Sequence, residues 1–125
     1  MIKNRRAFIV GLKSSILSKK EITFLKKYKP WGVILFSRNI SSIEETKKLT
    51  DQIKKIFKDK KYPILIDQEG GRVNRLSKII LFDNLTSEYF GNLFTKDKKK
   101  FNIIYKLFID KTSYLLKSTS TSKFL

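Results

Sequence analysis

The residues best suited to chemistry in this 125-residue chain cluster between positions 67 and 75: Asp67, Gln68, Glu69, Arg72 and Arg75, with Gly70 and Gly71 among them. A carboxylate accepts hydrogen bonds from hydroxyl and amide groups, and its charge makes those bonds stronger than neutral ones. Arginine answers with a planar fork of donors. Such polar side chains would converge on one point above a sheet. The glycine pair is not a phosphate loop, because no Gly-x-x-x-x-Gly-Lys frame surrounds it. The chain has no histidine, which removes the commonest general base and the commonest metal ligand. It has no cysteine either, so no disulfide framework and no thiolate site is possible.

The elements that must position this cluster are legible around it. Ile64-Leu65-Ile66 is an apolar run of the kind that forms a buried parallel strand, and the residues just past such a strand face the usual ligand crevice. The glycines permit a sharp turn there. Upstream, Ala7 to Gly11 reads as a first short strand. Ser18 and Glu21 form a capping box, and Ile22, Leu25 and Tyr28 recur at helical spacing until Pro30 stops the helix. Gly32 to Phe36 is a second strand, with Ser37-Arg38-Asn39 as its exit loop.

A helix from Ile43 to about Lys60 follows, capped by Ser41 or Ser42. Its apolar stripe comprises Ile43, Thr46, Leu49, Ile53, Ile56 and Phe57. A third strand spans Tyr62 to Ile66, giving the order βαβαβ with parallel pairing and right-handed crossovers expected. Beyond an irregular segment to Asn84, a short helix starts near Thr86 or Ser87. Phe101, Ile104, Tyr105, Phe108, Thr112, Leu115 and Leu116 then form one helical stripe that needs a sheet to lie on.

Asp67-Gln68-Glu69-Gly70-Gly71-Arg72-Val73 resembles the N-terminal signature of glycoside hydrolase family 3, in its bacterial β-N-acetylhexosaminidase branch. Trp31-Gly32-Val33-Ile34-Leu35-Phe36-Ser37-Arg38-Asn39 resembles that branch's strand-and-loop motif, and the separation of the two motifs fits. The resemblance covers roughly residues 7 to 117 and implies an α/β fold, the N-terminal portion of a TIM (β/α)₈ barrel. Such a barrel typically needs about 250 residues. About three parallel strands are expected here, so the barrel is expected to be incomplete. The expected division is a partial barrel domain over 1–117 and an aberrant, low-complexity tail over 118–125, where Ser118-Thr119-Ser120-Thr121-Ser122 replaces the glycine-containing turn into a fourth strand.

The resemblance implies that Asp67 accepts hydrogen bonds from sugar hydroxyls and that Arg75, eight residues on, also touches substrate. The structural alternative for Asp67 is an Asx-turn that only shapes the loop; for Arg75 it is a surface arginine near a turn. Asp67 and Glu69 invite a reading as an acid/base pair, since residues two apart in extended chain lie about 6.6 Å apart, within inverting geometry. The family does not use that pair, and Glu69 is expected to hold Arg72 or the local backbone, while Arg38 and Asn39 brace loops on the same face. The family's nucleophilic aspartate and its histidine–aspartate acid/base pair have no counterpart in this chain, so no catalytic residue is assigned. The implied reaction of a whole family member is hydrolysis of a terminal β-linked N-acetylglucosamine with retention.

The formal net charge of +17 invites a nucleic-acid reading. The excess is mostly lysine spread over the whole chain, whereas bidentate recognition favours arginine, so solvated lysine faces and no specific nucleic-acid partner are expected. No apolar run approaches the roughly 20 residues of a membrane span, and the basic start is followed by too short an apolar stretch for a signal peptide. A cytoplasmic location is the default expectation. No metal or cofactor is implied, and the expected partner is an N-acetylglucosamine-containing substrate. The alternative is a carbohydrate-binding or interaction remnant without catalysis; a basic nucleic-acid-associated protein ranks behind both.

Overall fold

The computed structural model describes residues 4–121 and 123–124. Strand β1 (Arg6–Gly11) leads through helix α1 (Lys19–Tyr28) to β2 (Pro30–Leu35). Helix α2 (Ile43–Phe57) then precedes β3 (Ile64–Ile66). Helices α3 (Ser87–Lys96) and α4 (Lys98–Ser118) follow, and a two-residue strand β4 (Lys123–Phe124) closes the described chain. The three expected strands are present, all parallel, and β4 adds a fourth in the order β1-β2-β3-β4.

Local signals explain the helix ends. The Ser18 hydroxyl accepts from the Glu21 amide while Glu21 accepts from the Ser18 amide, a complete capping box. Burial works against the Glu21 carboxylate, but hydrogen bonds from the Lys13 amide and from Ser18 outweigh it and hold its pKa below the ordinary value. Lys29 ends α1 in the left-handed region (φ 48°), so Pro30 opens β2 instead of merely blocking the helix. Ser42, not Ser41, caps α2 by accepting from the Glu45 amide. Thr86 caps α3 in the same way.

Side chains alternate across the sheet. Val33, Leu35, Ile64 and Ile66 point to one face and share a single core with Leu25 of α1, Leu49 and Ile53 of α2, and Leu115 and Leu116 of α4. Helices α1, α2 and α4 therefore lie on one side of the sheet, and α3 packs on α4. The register places Ile9, Gly11, Gly32, Ile34 and Leu65 on the other side, where Ile9 is 42% exposed. Gly32 allows a close approach there, since a Cβ would lie 3.1 Å from both Leu65 Cδ1 and the Pro63 carbonyl oxygen.

Below the N-terminal ends of the strands, Arg5 lies over the Tyr62 ring and pairs with Asp59. The apolar stripe read on the last helix is divided in the structure. Thr112, Leu115 and Leu116 are buried, while the Phe101 and Tyr105 rings meet Phe90 of α3 edge-on and Phe108 lies tilted against it. Among the described residues no helix is long and apolar enough to cross a membrane.

Residues 118–121, the described part of the Ser/Thr run read as a tail, do not stand apart from the fold; Ser122 and Leu125 lie outside the described residues. Thr119 is 1% exposed and its carbonyl accepts from the buried Thr50 hydroxyl at 2.8 Å. Lys54 Nζ donates to the Ser120 carbonyl at 2.6 Å, and burial lowers the Lys54 pKa. Ser120 takes the left-handed conformation (φ 56°) in which a glycine was expected. The hydroxyls of Thr119 and Thr121 donate to the last carbonyls of α4, capping it from beyond its end.

Thr50→Val keeps shape but strands the Thr119 carbonyl. We expect a loss of about 1–3 kcal/mol in urea unfolding and faster amide exchange in residues 119–121, against an exposed Lys48→Ala control that changes neither.

Candidate functional site

The sheet ends at Ile66 and the polar cluster begins at once. Arg75 Nη2 donates to Asp67 Oδ2 at 3.0 Å, and Arg75 Nε donates to the Asp67 backbone carbonyl at 3.2 Å. One guanidinium thus grips both the side chain and the main chain of its partner. Asp67 and Arg75, eight residues apart in sequence, are brought together at the C-terminal end of β3. Their side chains remain 31% and 25% exposed. A carboxylate offers about four acceptor positions and a guanidinium five N–H donors. The pair uses one carboxylate oxygen and two nitrogens on itself, so acceptors and donors are left side by side at the surface.

Buried amides shape the loop between them. Gln68 accepts from the Leu76 amide at 3.2 Å and donates to Asn74 Oδ1 at 3.1 Å. Asn74 Nδ2 donates in turn to the Ile80 carbonyl and to Asp83 Oδ1. Both amides are nearly fully buried, at 8% and 5% exposed, so these bonds satisfy groups that water does not reach. Gly70 (φ 85°) and Gly71 (φ 54°) make the turn, locked by bonds from the Val73 amide to the Gly70 carbonyl and from the Gly71 amide to the Phe82 carbonyl. A shallow cleft of about 400 Å³ opens beside this loop, lined by Ser37, Gly71, Arg72, Asn74, Ser77 and Asp83.

The exit of β2 forms the neighbouring wall. Asn39 is fully buried; its amide nitrogen donates to the Leu12 and Ser14 carbonyls, and its oxygen accepts from the Phe36 amide at 2.9 Å. Arg38 Nε donates to the Leu12 carbonyl at 2.8 Å. These two residues tie the loop after β2 to the loop after β1, the bracing role expected of them. Glu69 behaves differently from its expectation on one count. Its backbone amide bonds to the Val73 carbonyl, but its side chain and that of Arg72 form no ion pair with each other. Both are exposed, where such a pair gains little over hydration.

Asn74 was not singled out by sequence and Gln68 was named only as a member of the polar cluster, because an amide between carboxylates and glycines reads as loop polarity. Phe36 was read only as a strand residue. Among the described residues no group of three or more His, Cys, Asp or Glu could hold a metal ion.

No family model matches the chain. It is 46% identical over 69 residues to the beta-hexosaminidase of Alkalilimnicola ehrlichii, a span of 54% of this chain and 19% of that protein. The beta-hexosaminidase of Histophilus somni is 40% identical over 67 residues, with the same shares of each chain. NagZ from Neisseria gonorrhoeae, solved in complex with N-trifluoroacetyl-D-glucosamine, is similar in structure with a TM-score of 0.59 at 30% identity, covering 74% of this chain and 27% of that one. The chain thus spans about a fifth of the length of the curated relatives it matches.

The turn makes a sharp prediction. A Cβ on Gly70 would fall 2.4 Å from the Leu85 carbonyl oxygen at a backbone angle that L-residues rarely adopt. Gly70→Ala should cost about 1–3 kcal/mol and speed exchange of the Val73 amide; unchanged protection of that amide would mean the turn does not hold the loop.

Proposed function

We propose that this chain, a partial glycoside hydrolase family 3 domain of the bacterial β-N-acetylhexosaminidase type, supplies sugar-hydroxyl contacts of a substrate subsite and none of the bond-breaking groups. The observation that carries the reading is the Asp67–Arg75 pair. It sits at the C-terminal end of a parallel strand, clasped yet part-exposed, with unused acceptor and donor capacity side by side. A sugar hydroxyl both donates and accepts, so it can bridge such a pair without leaving either partner unsatisfied.

The architecture supports the setting. Strands in sequential parallel order, with their helices on one face, match a segment of a (β/α)₈ barrel; a doubly wound sheet carries helices on both faces. In barrels of this kind the loops at the C-terminal ends of the strands bind substrate. The relatives act as beta-hexosaminidases, and NagZ binds an N-acylated glucosamine analogue. For this chain the substrate class is accordingly an oligosaccharide bearing terminal N-acetylglucosamine.

Retaining hydrolysis needs two carboxyl-type groups flanking the scissile bond about 5–5.5 Å apart. Asp67 and Glu69 lie on one loop and cannot straddle it, and the family's histidine has no counterpart here. The role of this chain is therefore binding. Its lysines do not point to nucleic acid. Among the described residues whose burial is given, all lysines but the half-buried Lys54 are exposed, and they are dispersed over the chain, while Arg75 and Arg38 beside the site are engaged with Asp67 and the Leu12 carbonyl.

Two measurements test this together. The 125-residue chain should leave a chromogenic N-acetylglucosaminide intact, yet N-acetylglucosamine should raise its thermal midpoint. Asp67→Ala should weaken that binding by about 1.5–3 kcal/mol, the value of a hydrogen bond to a charged acceptor. Turnover by the chain alone, or unchanged sugar affinity in Asp67→Ala, would contradict the assignment.

A further inference from the structure

We propose that Phe36 is a positioning residue for the sugar-binding pair, its ring holding the Arg75 guanidinium in the orientation that grips Asp67. This rests on the reading of Asp67 and Arg75 as the pair that binds sugar. The central carbon of the Arg75 guanidinium lies 5.3 Å from the centroid of the Phe36 ring, and that of Arg38 lies 4.7 Å from it. Both are within the roughly 6 Å at which an aromatic face attracts a cation. Two guanidiniums thus share one ring, whereas Asp67 is the only carboxylate that pairs with either among the described residues. The negative face of the ring offsets the charge that Asp67 leaves uncompensated.

The ring is itself held in place. The Phe36 amide donates to the buried Asn39 side chain, and Arg38 is anchored on the Leu12 carbonyl. Across the sheet, Gly11 leaves the space that the stack occupies: a Cβ there would lie 3.2 Å from Phe36 Cε2 and 3.3 Å from Arg38 Nη2. The path from β1 through Gly11, Phe36 and Arg75 to Asp67 is therefore continuous. Both hydrogen bonds of Arg75 go to Asp67, the same residue from which a ligand hydroxyl must draw an acceptor. A ligand hydroxyl that shares the carboxylate weakens the Nη2 bond and leaves Arg75 its main-chain bond, so a further contact is needed to keep the guanidinium in its orientation. The Phe36 face is that contact.

An apolar side chain of similar size would fill the space without offering a π face, and this separates positioning from packing. In ¹⁵N NMR of the 125-residue chain, Phe36→Leu and Phe36→Met should each speed solvent exchange of the Arg75 Nε–H about 2- to 5-fold, the range that an exposed cation–π contact supports. Phe36→Tyr should restore the wild-type rate. Affinity for N-acetylglucosamine should fall by the same factor in the Leu and Met variants and recover in Tyr. Protection of the Ile53 amide serves as the control for folding. An unchanged Arg75 exchange rate in Leu and Met, or an equal rise in Tyr, would overturn the proposal. If exchange responds as stated while the wild type binds no sugar, the role of Phe36 stands and the sugar reading fails.

Discussion

A buried amide that lacks a partner is costly, and three of them dictate where the loops of this protein lie. Asn39 joins the exits of β1 and β2, and Gln68 with Asn74 folds the segment after β3 back on itself. Leaving any one of these groups unpaired in the interior would cost about 1–3 kcal/mol, a large share of the stability of a small domain. The positions of Phe36, Asp67 and Arg75 are consequences of those bonds. The loops carry the polar side chains, but the amides beneath them fix the geometry in which those side chains meet.

The sheet adds a second constraint. Its helices pack one face into a common core, and the strands leave the opposite face to Ile9, Gly11, Gly32, Ile34 and Leu65. Glycines on that face serve contact more than conformation. Gly32 admits Leu65 and Pro63, and Gly11 admits the Phe36 ring and Arg38. The strands therefore deliver their C-terminal ends close together. Asp67 emerges beside the loop from β2, within reach of a guanidinium that rests on a residue of that loop.

Much of this was legible in the sequence. The strand-to-glycine break at residues 64–71 marked where the polar cluster begins, the family resemblance singled out Asp67 and Arg75, and the Ser18–Glu21 box gave the start of α1. What escaped notice depended on tertiary contacts. Phe36 is an aromatic at the end of an apolar strand, and nothing in its neighbours announces two guanidiniums across from it. Residues 118–121 read as a polar tail because the turn they make uses a serine at positive φ, which composition does not advertise. Their docking depends on Thr50, distant in sequence and indistinguishable there from an ordinary helix-face threonine.

Binding at Asp67 is the claim on which the account turns, and carboxyl ¹³C NMR reads it directly. With aspartate side chains labelled, N-acetylglucosamine should shift the Asp67 carboxyl resonance along a saturating curve. Those of Asp51, Asp59 and Asp110, on α2, the loop after it and α4, should stay in place. A stationary Asp67 signal at saturating sugar, or equal movement at Asp110, would contradict the assignment of this clasped carboxylate as a sugar-hydroxyl acceptor.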